Sequence, residues 1–167
     1  KDDKAGLVTF NEYFDTFVPA SKQVGQMQTL LENLYKQETT FGETDFSALC
    51  GHLGKHVNKR SFLVLYTNFS NMTSLNRQLV YLQQLARQHR VLVVFFEDAD
   101  LKEYIAGKSV TTEEYYRHVI AEKFAFEKRL IVSTLKQHGI YSLLTTPDKL
   151  SIDVINKYLE MKSRQLL

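Results

Sequence analysis

Ser61-Phe62-Leu63-Val64-Leu65-Tyr66-Thr67-Asn68 decides the fold. Five apolar residues in a row have the length of a strand but not the alternation of a half-exposed one, which fits a central parallel strand covered on both faces. The run turns polar abruptly at Thr67-Asn68, at the strand end where open α/β sheets place their ligands. Downstream, Leu75, Leu79, Leu82, Leu85 and Ala86 recur at helical spacing, and Val91-Leu-Val-Val-Phe-Phe96 is a second buried strand, closed by Glu97-Asp98-Ala99-Asp100. A strand, a helix and a second buried strand make a right-handed parallel crossover.

Upstream of this unit, Gly6–Phe10 and Tyr13–Val18 read as a hairpin, followed after Pro19 by a helix over about 22–37 with Met27, Leu30, Leu31, Leu34 and Tyr35 on one stripe. Gly42-Glu43-Thr44-Asp45 is a loop ending in good N-cap residues, and Phe46, Leu49, Cys50, Leu53 and Val57 mark the helix that follows. Beyond the second strand, the spacing predicts a short helix near Leu101–Ala106. Thr111 and Glu114 then stand at capping-box spacing ahead of a long helix ended by Gly139. Ile140–Leu144 is a third strand and Lys149–Leu166 a final amphipathic helix. The expectation is one α/β domain of three layers, its sheet mostly parallel with an antiparallel edge.

The chain has 167 residues, 44% of them apolar, and a formal net charge of +2. That suffices for one sizeable core and gives no electrostatic case for nucleic acid. No run of apolar residues is long enough to span a bilayer, the first residues lack a signal-peptide pattern, and a single cysteine needs no oxidising compartment. A soluble, cytoplasmic segment is expected. The sequons at Asn68 and Asn71 carry little weight in that setting.

Familiar catalytic motifs are missing: the sequence has no Gly-x-Ser-x-Gly elbow, Walker loop or Gly-x-Gly-x-x-Gly turn. His52 and His56 have zinc-chelating i, i+4 spacing but no evident third ligand, so a solvated helix face is expected. Cys50 reads as a core residue. His89 and His138 fall at helix C-termini, where positive charge complements the dipole. Glu97-Asp98-Ala99-Asp100 is either a hard-cation locus or a set of turn residues capping the next helix. Thr44-Asp45 and Thr67-Asn68 are expected on one sheet edge, where a hydroxyl and an amide oxygen could share an octahedral Mg²⁺ or Mn²⁺ ion, or serve as helix caps.

The stretches DDKAGLVTFNEYFDTFVPA, GETDF, KRSFLVLYTNF, LARQHRVLVVFFED and YLEMKSRQLL occur in order and spacing that resemble the von Willebrand factor A-like domain of a bacterial family, domain of unknown function 58, from about Asp2 onward. The resemblance implies a Rossmann-like fold and a metal-ion-dependent adhesion site. On this pattern Thr44 matches the site's second-loop Thr, and Asn68 stands where its later Asp is expected, with Asp45 nearby. Asp-x-Ser-x-Ser, the first element, is absent, which implies a degenerate site and a first strand lost upstream. The hairpin would then close against the Ser61 strand, or another copy would fill the gap through exposed strand edges.

The resemblance further implies a non-enzymatic interaction module whose partner is a MoxR-type AAA+ ATPase, acting in protein assembly or maturation, as the cytoplasmic part of a membrane-anchored protein in longer relatives. The rival reading is an Mg²⁺-dependent hydrolase or phosphoryl-transfer enzyme using Asp98 and Asp100 with Asn68, and Lys102 as the nearby cation. A structural scaffold whose metal site has decayed is the third.

Overall fold

A computed structural model describes residues 3–11, 14–38, 44–69, 71–97, 105 and 111–166. The chain divides into two compact units, Lys1–Asn58 and Lys59–Leu167. It is an α/β fold of five strands and five helices among the described residues, combining a parallel three-stranded sheet with an antiparallel two-stranded one. That composition is consistent with the Rossmann-like von Willebrand A arrangement.

In the first unit the expected hairpin is present, β1 (Ala5–Phe10) against β2 (Phe14–Ser21), with Val8 opposite Phe17. β2 continues through Pro19 because, among the described residues, it pairs with β1 alone, and an edge strand tolerates a residue without an N–H. The ladder is irregular between Ala5 and Leu7. A Cβ on Gly6 would lie 2.8 Å from the Val18 carbonyl oxygen and 2.9 Å from the Ala20 nitrogen, so this close approach requires glycine.

The next helix, α1 (Gln26–Tyr35), starts four residues later than the periodicity predicts, because the strand runs to Ser21 and Gly25, at φ +90°, makes the turn. The Gln26 carboxamide then donates to the carbonyls of Ala5 (2.8 Å) and Pro19 (3.0 Å), fastening α1 to the hairpin. α2 (Phe46–His56) begins as expected, with an Asp45 carboxylate oxygen accepting from the amides of Ser47 (2.7 Å) and Ala48 (3.2 Å). Phe46, Leu49, Cys50 and Leu53 form its buried face, and Phe46 meets Phe10 of β1 edge to face.

The second unit is the parallel sheet β3 (Phe62–Tyr66), β4 (Arg90–Phe96) and β5 (Tyr141–Thr145), in that order. Its helices are α3 (Met72–Gln88), α4 (Thr112–Gln137) and α5 (Leu150–Ser163). Asn71 caps α3 by accepting from the Ser74 amide, the Thr111–Glu114 capping box opens α4, and Gly139 leaves it at φ +71°. The Thr111–Glu114 box and the Gly139 stop are as expected from the sequence; the Asn71 cap is a further local signal. The short helix expected near residues 101–106 falls largely outside the described residues.

Sequential strand order with right-handed crossovers puts α3 and α4 on one face of the sheet, where they touch each other. The register fixes the other face. Phe62 pairs with Arg90, Leu92 with Tyr141 and Phe96 with Thr145, so by alternation Phe62, Arg90, Leu92, Val94, Phe96, Tyr141 and Thr145 share a face. Three contacts place α5 and its following turn there: Phe62 with Tyr158, the Arg90 guanidinium donating to the Leu166 carbonyl (2.7 Å), and the Thr145 hydroxyl donating to Asp153 (2.5 Å). β4 is therefore sandwiched, and Val91 to Phe95 are all buried. This is the covered central strand that an unbroken apolar run requires.

Candidate functional site

The C-terminal end of the parallel sheet is where a ligand of this fold class would sit. β3 reaches it with the Thr67 amide donating to the Val94 carbonyl (3.1 Å), the last rung toward β4. Asn68 then turns outward while Phe69 is buried and pins the loop to the core. Lys128 of α4 reaches across to this loop. Its ammonium donates to the Asn68 carboxamide oxygen and to the Phe69 carbonyl (3.0 Å). Partial burial pushes the Lys128 amine below the ordinary lysine range. The Thr67-Asn68 pair thus ends a ladder and holds an internal cation.

The neighbouring strand ends are tied in the same way. The Glu97 amide donates to the Thr145 carbonyl (2.9 Å), and the Thr145 side chain is committed to Asp153 of α5. Asp98, Asp100 and Lys102, the residues of the hydrolase reading, lie outside the described residues.

Thr44 and Asp45 belong to the first unit and Asn68 to the second. Asp45 is a helix cap in full: its carboxylate accepts from two α2 amides and its own amide donates to the Asn11 carbonyl (2.8 Å). The expected Mg²⁺ or Mn²⁺ is overturned. Among the described residues no group of three or more His, Cys, Asp or Glu could hold a metal ion. The Asn68 oxygen that would have ligated one faces an ammonium, and an Asp45 oxygen faces backbone amides. These residues do not fit a divalent ion.

His52 and His56 stack on each other at 4.2 Å, and Phe17 of β2 sits 5.4 Å from each ring, which makes them a packed aromatic group. Cys50 is a core residue as expected; burial, then the Asp45 carboxylate, push its thiol up to about 11, so it is not a nucleophile at neutral pH. His138 does serve the end of α4, its Nδ1 lying 2.8 Å from the Thr134 carbonyl, which can only accept.

His89 departs from expectation. It is almost fully buried, and its Nδ1 accepts from the Ser61 amide (3.3 Å) at the start of β3. Burial, then Arg60, lower its pKa, so the ring is a neutral acceptor and not a charge for the helix dipole. Sequence reasoning also missed Lys128. The one signal was its place in the heptad Ala121, Lys128, Leu135, whose other two members are buried.

A protein-family model described as "Protein of unknown function DUF58" matches residues 1–108. The match thus covers the first unit, β3, α3 and β4, and stops before α4, whereas the resemblance read from sequence extended to the C-terminus. No curated protein and no solved structure matches the chain.

Proposed function

Because the chain belongs to the DUF58 family, we propose that it is a non-enzymatic protein-interaction module that works with a MoxR-type AAA+ ATPase in assembling or maturing other proteins. The observation that carries this reading is the exposed apolar surface of α4. Its 26 residues extend about 39 Å, while the five-residue β5 against which it packs extends about 17 Å. Its buried residues begin only at Ala121, and the part ahead of them exposes Tyr115, Tyr116, Val119 and Ile120, continued by Phe124 and Phe126.

Scattered exposed apolar residues are ordinary, but a contiguous aromatic-rich patch marks a contact surface. The ATPase supplies hydrolysis and this domain the docking face, in the cytoplasm where nucleotide is available. The test is binding of the purified ATPase, with a non-hydrolysable nucleotide, to the wild type and to a Tyr116→Glu/Ile120→Glu variant. The expected result is binding weakened at least tenfold in the variant with unchanged circular dichroism. Failure of the wild type to bind any such ATPase would end the reading.

A further inference from the structure

The formal charge of +2 is the balance of two units of opposite sign. Residues 59–167 carry 16 Lys and Arg against 11 Asp and Glu, whereas residues 1–58 carry 5 against 8. Within the second unit the positive excess has a place. In a parallel sheet with helical crossovers, each helix that leads into a strand ends at the sheet's N-terminal edge. The Arg90 bond to the Leu166 carbonyl brings the end of α5 to the same edge. Gathered there are Lys59 and Arg60 ahead of β3, Arg87 in the last turn of α3 and Arg90 at the start of β4. Lys136 in the last turn of α4, and Lys162 and Arg164 at the end of α5, complete the set.

These seven Lys and Arg share the edge with one acidic residue, Glu160, whose carboxylate lies against Lys157 and Arg164. All but Arg90 are exposed. Cations in the last turn of a helix complement its dipole, which accounts for Arg87, Lys136 and Lys162. It does not account for Lys59 and Arg60, which precede a strand.

We propose that this edge is a membrane-surface site, which sets the second unit end-on against an anionic lipid headgroup layer. Two observations favour lipid over other anions. The loops of this edge are short, with His89 alone between α3 and β4 and three residues between α4 and β5, so they neither enclose a small ligand nor reach into a nucleic-acid groove. None of the exposed large apolar side chains lies in these turns, so the edge lacks the aromatic anchors of a protein interface, where lysine is depleted. A row of exposed Lys and Arg without anchors suits a surface whose attraction is purely electrostatic. The site is at the opposite end of α4 from Tyr116 and Ile120, and it stands or falls independently of the ATPase reading.

The experiment is co-sedimentation of the chain as it exists with two kinds of vesicle, phosphatidylcholine alone and phosphatidylcholine with about a third phosphatidylserine. Binding to the anionic vesicles only, lost as salt is raised, is expected. Each cation near the surface changes binding roughly fivefold, so Arg87→Gln/Lys136→Gln should weaken it about 25-fold with unchanged circular dichroism. Arg117→Gln/Lys149→Gln removes the same charge from the other end of the sheet and should bind as the wild type does. If the first pair fails to fold, Lys59→Gln/Arg60→Gln takes its place. A wild type that ignores phosphatidylserine, equal losses in the two double variants, or stronger retention of an RNA oligonucleotide at the same salt would overturn the proposal.

Discussion

Lys128 donates to the side-chain oxygen of Asn68, sixty residues away in sequence, and thereby ties α4 to the loop that follows β3. The same ammonium holds the Phe69 carbonyl, so one side chain satisfies two acceptors at the sheet's ligand-binding end. Lys128→Met keeps the aliphatic stem and removes both bonds. Hydrogen bonds to a charged group contribute about 1.5–3 kcal/mol, and partial exposure here reduces the expected loss to about 1–2 kcal/mol in urea denaturation. Asn68→Ala loses less, since Asn68 is exposed and the Phe69 bond survives. Adding a chelator leaves the unfolding midpoint of each protein unchanged, and a midpoint that falls with EDTA would contradict the ammonium assignment.

His89 makes stability depend on pH. Burial and Arg60 hold its folded pKa below the ordinary value of about 6.5, so on acidification the unfolded chain takes up this proton first. Its contribution is complete above about pH 6.5 and erodes as pH falls below that, with a slope of at most ~1.4 kcal/mol per pH unit for one proton. His89→Gln should flatten the dependence in denaturation curves collected between neutral and mildly acid pH. An unchanged slope in that variant would assign the effect to other groups.

Cys50 should resist thiol reagents. Its buried thiol, raised to about 11, supplies almost no thiolate at neutral pH, so labelling of the native protein is slow and becomes rapid in denaturant. Rapid native-state labelling would mean that α2 opens readily from the hairpin it covers.

Gly6 tolerates no side chain. The neighbours that a Cβ would meet are backbone atoms of Val18 and Ala20, which cannot rotate away, so Gly6→Ala should cost about 1–3 kcal/mol despite its conservative size. By contrast Gly51→Ala and Gly54→Ala, whose added methyls meet nothing within 4 Å, should stabilise α2 by roughly 0.5–1 kcal/mol each. Thermal midpoints of the three variants separate the two cases.

Elements whose cause is local were legible in the sequence. The unbroken apolar runs of β3 and β4, the Asp45 cap, the Thr111–Glu114 box and the Gly139 stop each act within a few residues, and each is found in place. What failed depended on partners distant in the chain. His89 looked like a charge for a helix end because the dipole is a local argument, whereas the burial that neutralises it comes from packing. Asn68 looked like a metal ligand because carboxamide oxygens bind cations, and the cation it does meet is sixty residues away on α4. β2 runs three residues past the Val18 end that local pattern predicts, because proline's penalty depends on whether a second strand lies alongside, which no local pattern reports.

The strand order of the parallel sheet bears on how the second unit is made. β3, β4 and β5 are neighbours in space in the order in which a ribosome delivers them, so no strand waits for a partner synthesised out of turn. The covering layers do not arrive together, however. α3 and α4 precede β5 in the chain, while α5, which covers the face bearing Leu92 and Val94, is residues 150–163 and is made last. Until then the second unit lacks its own cover for that apolar face. The Arg90 bond to the Leu166 carbonyl then forms late and seals the unit, joining the first residue of its central strand to a turn completed 76 residues later.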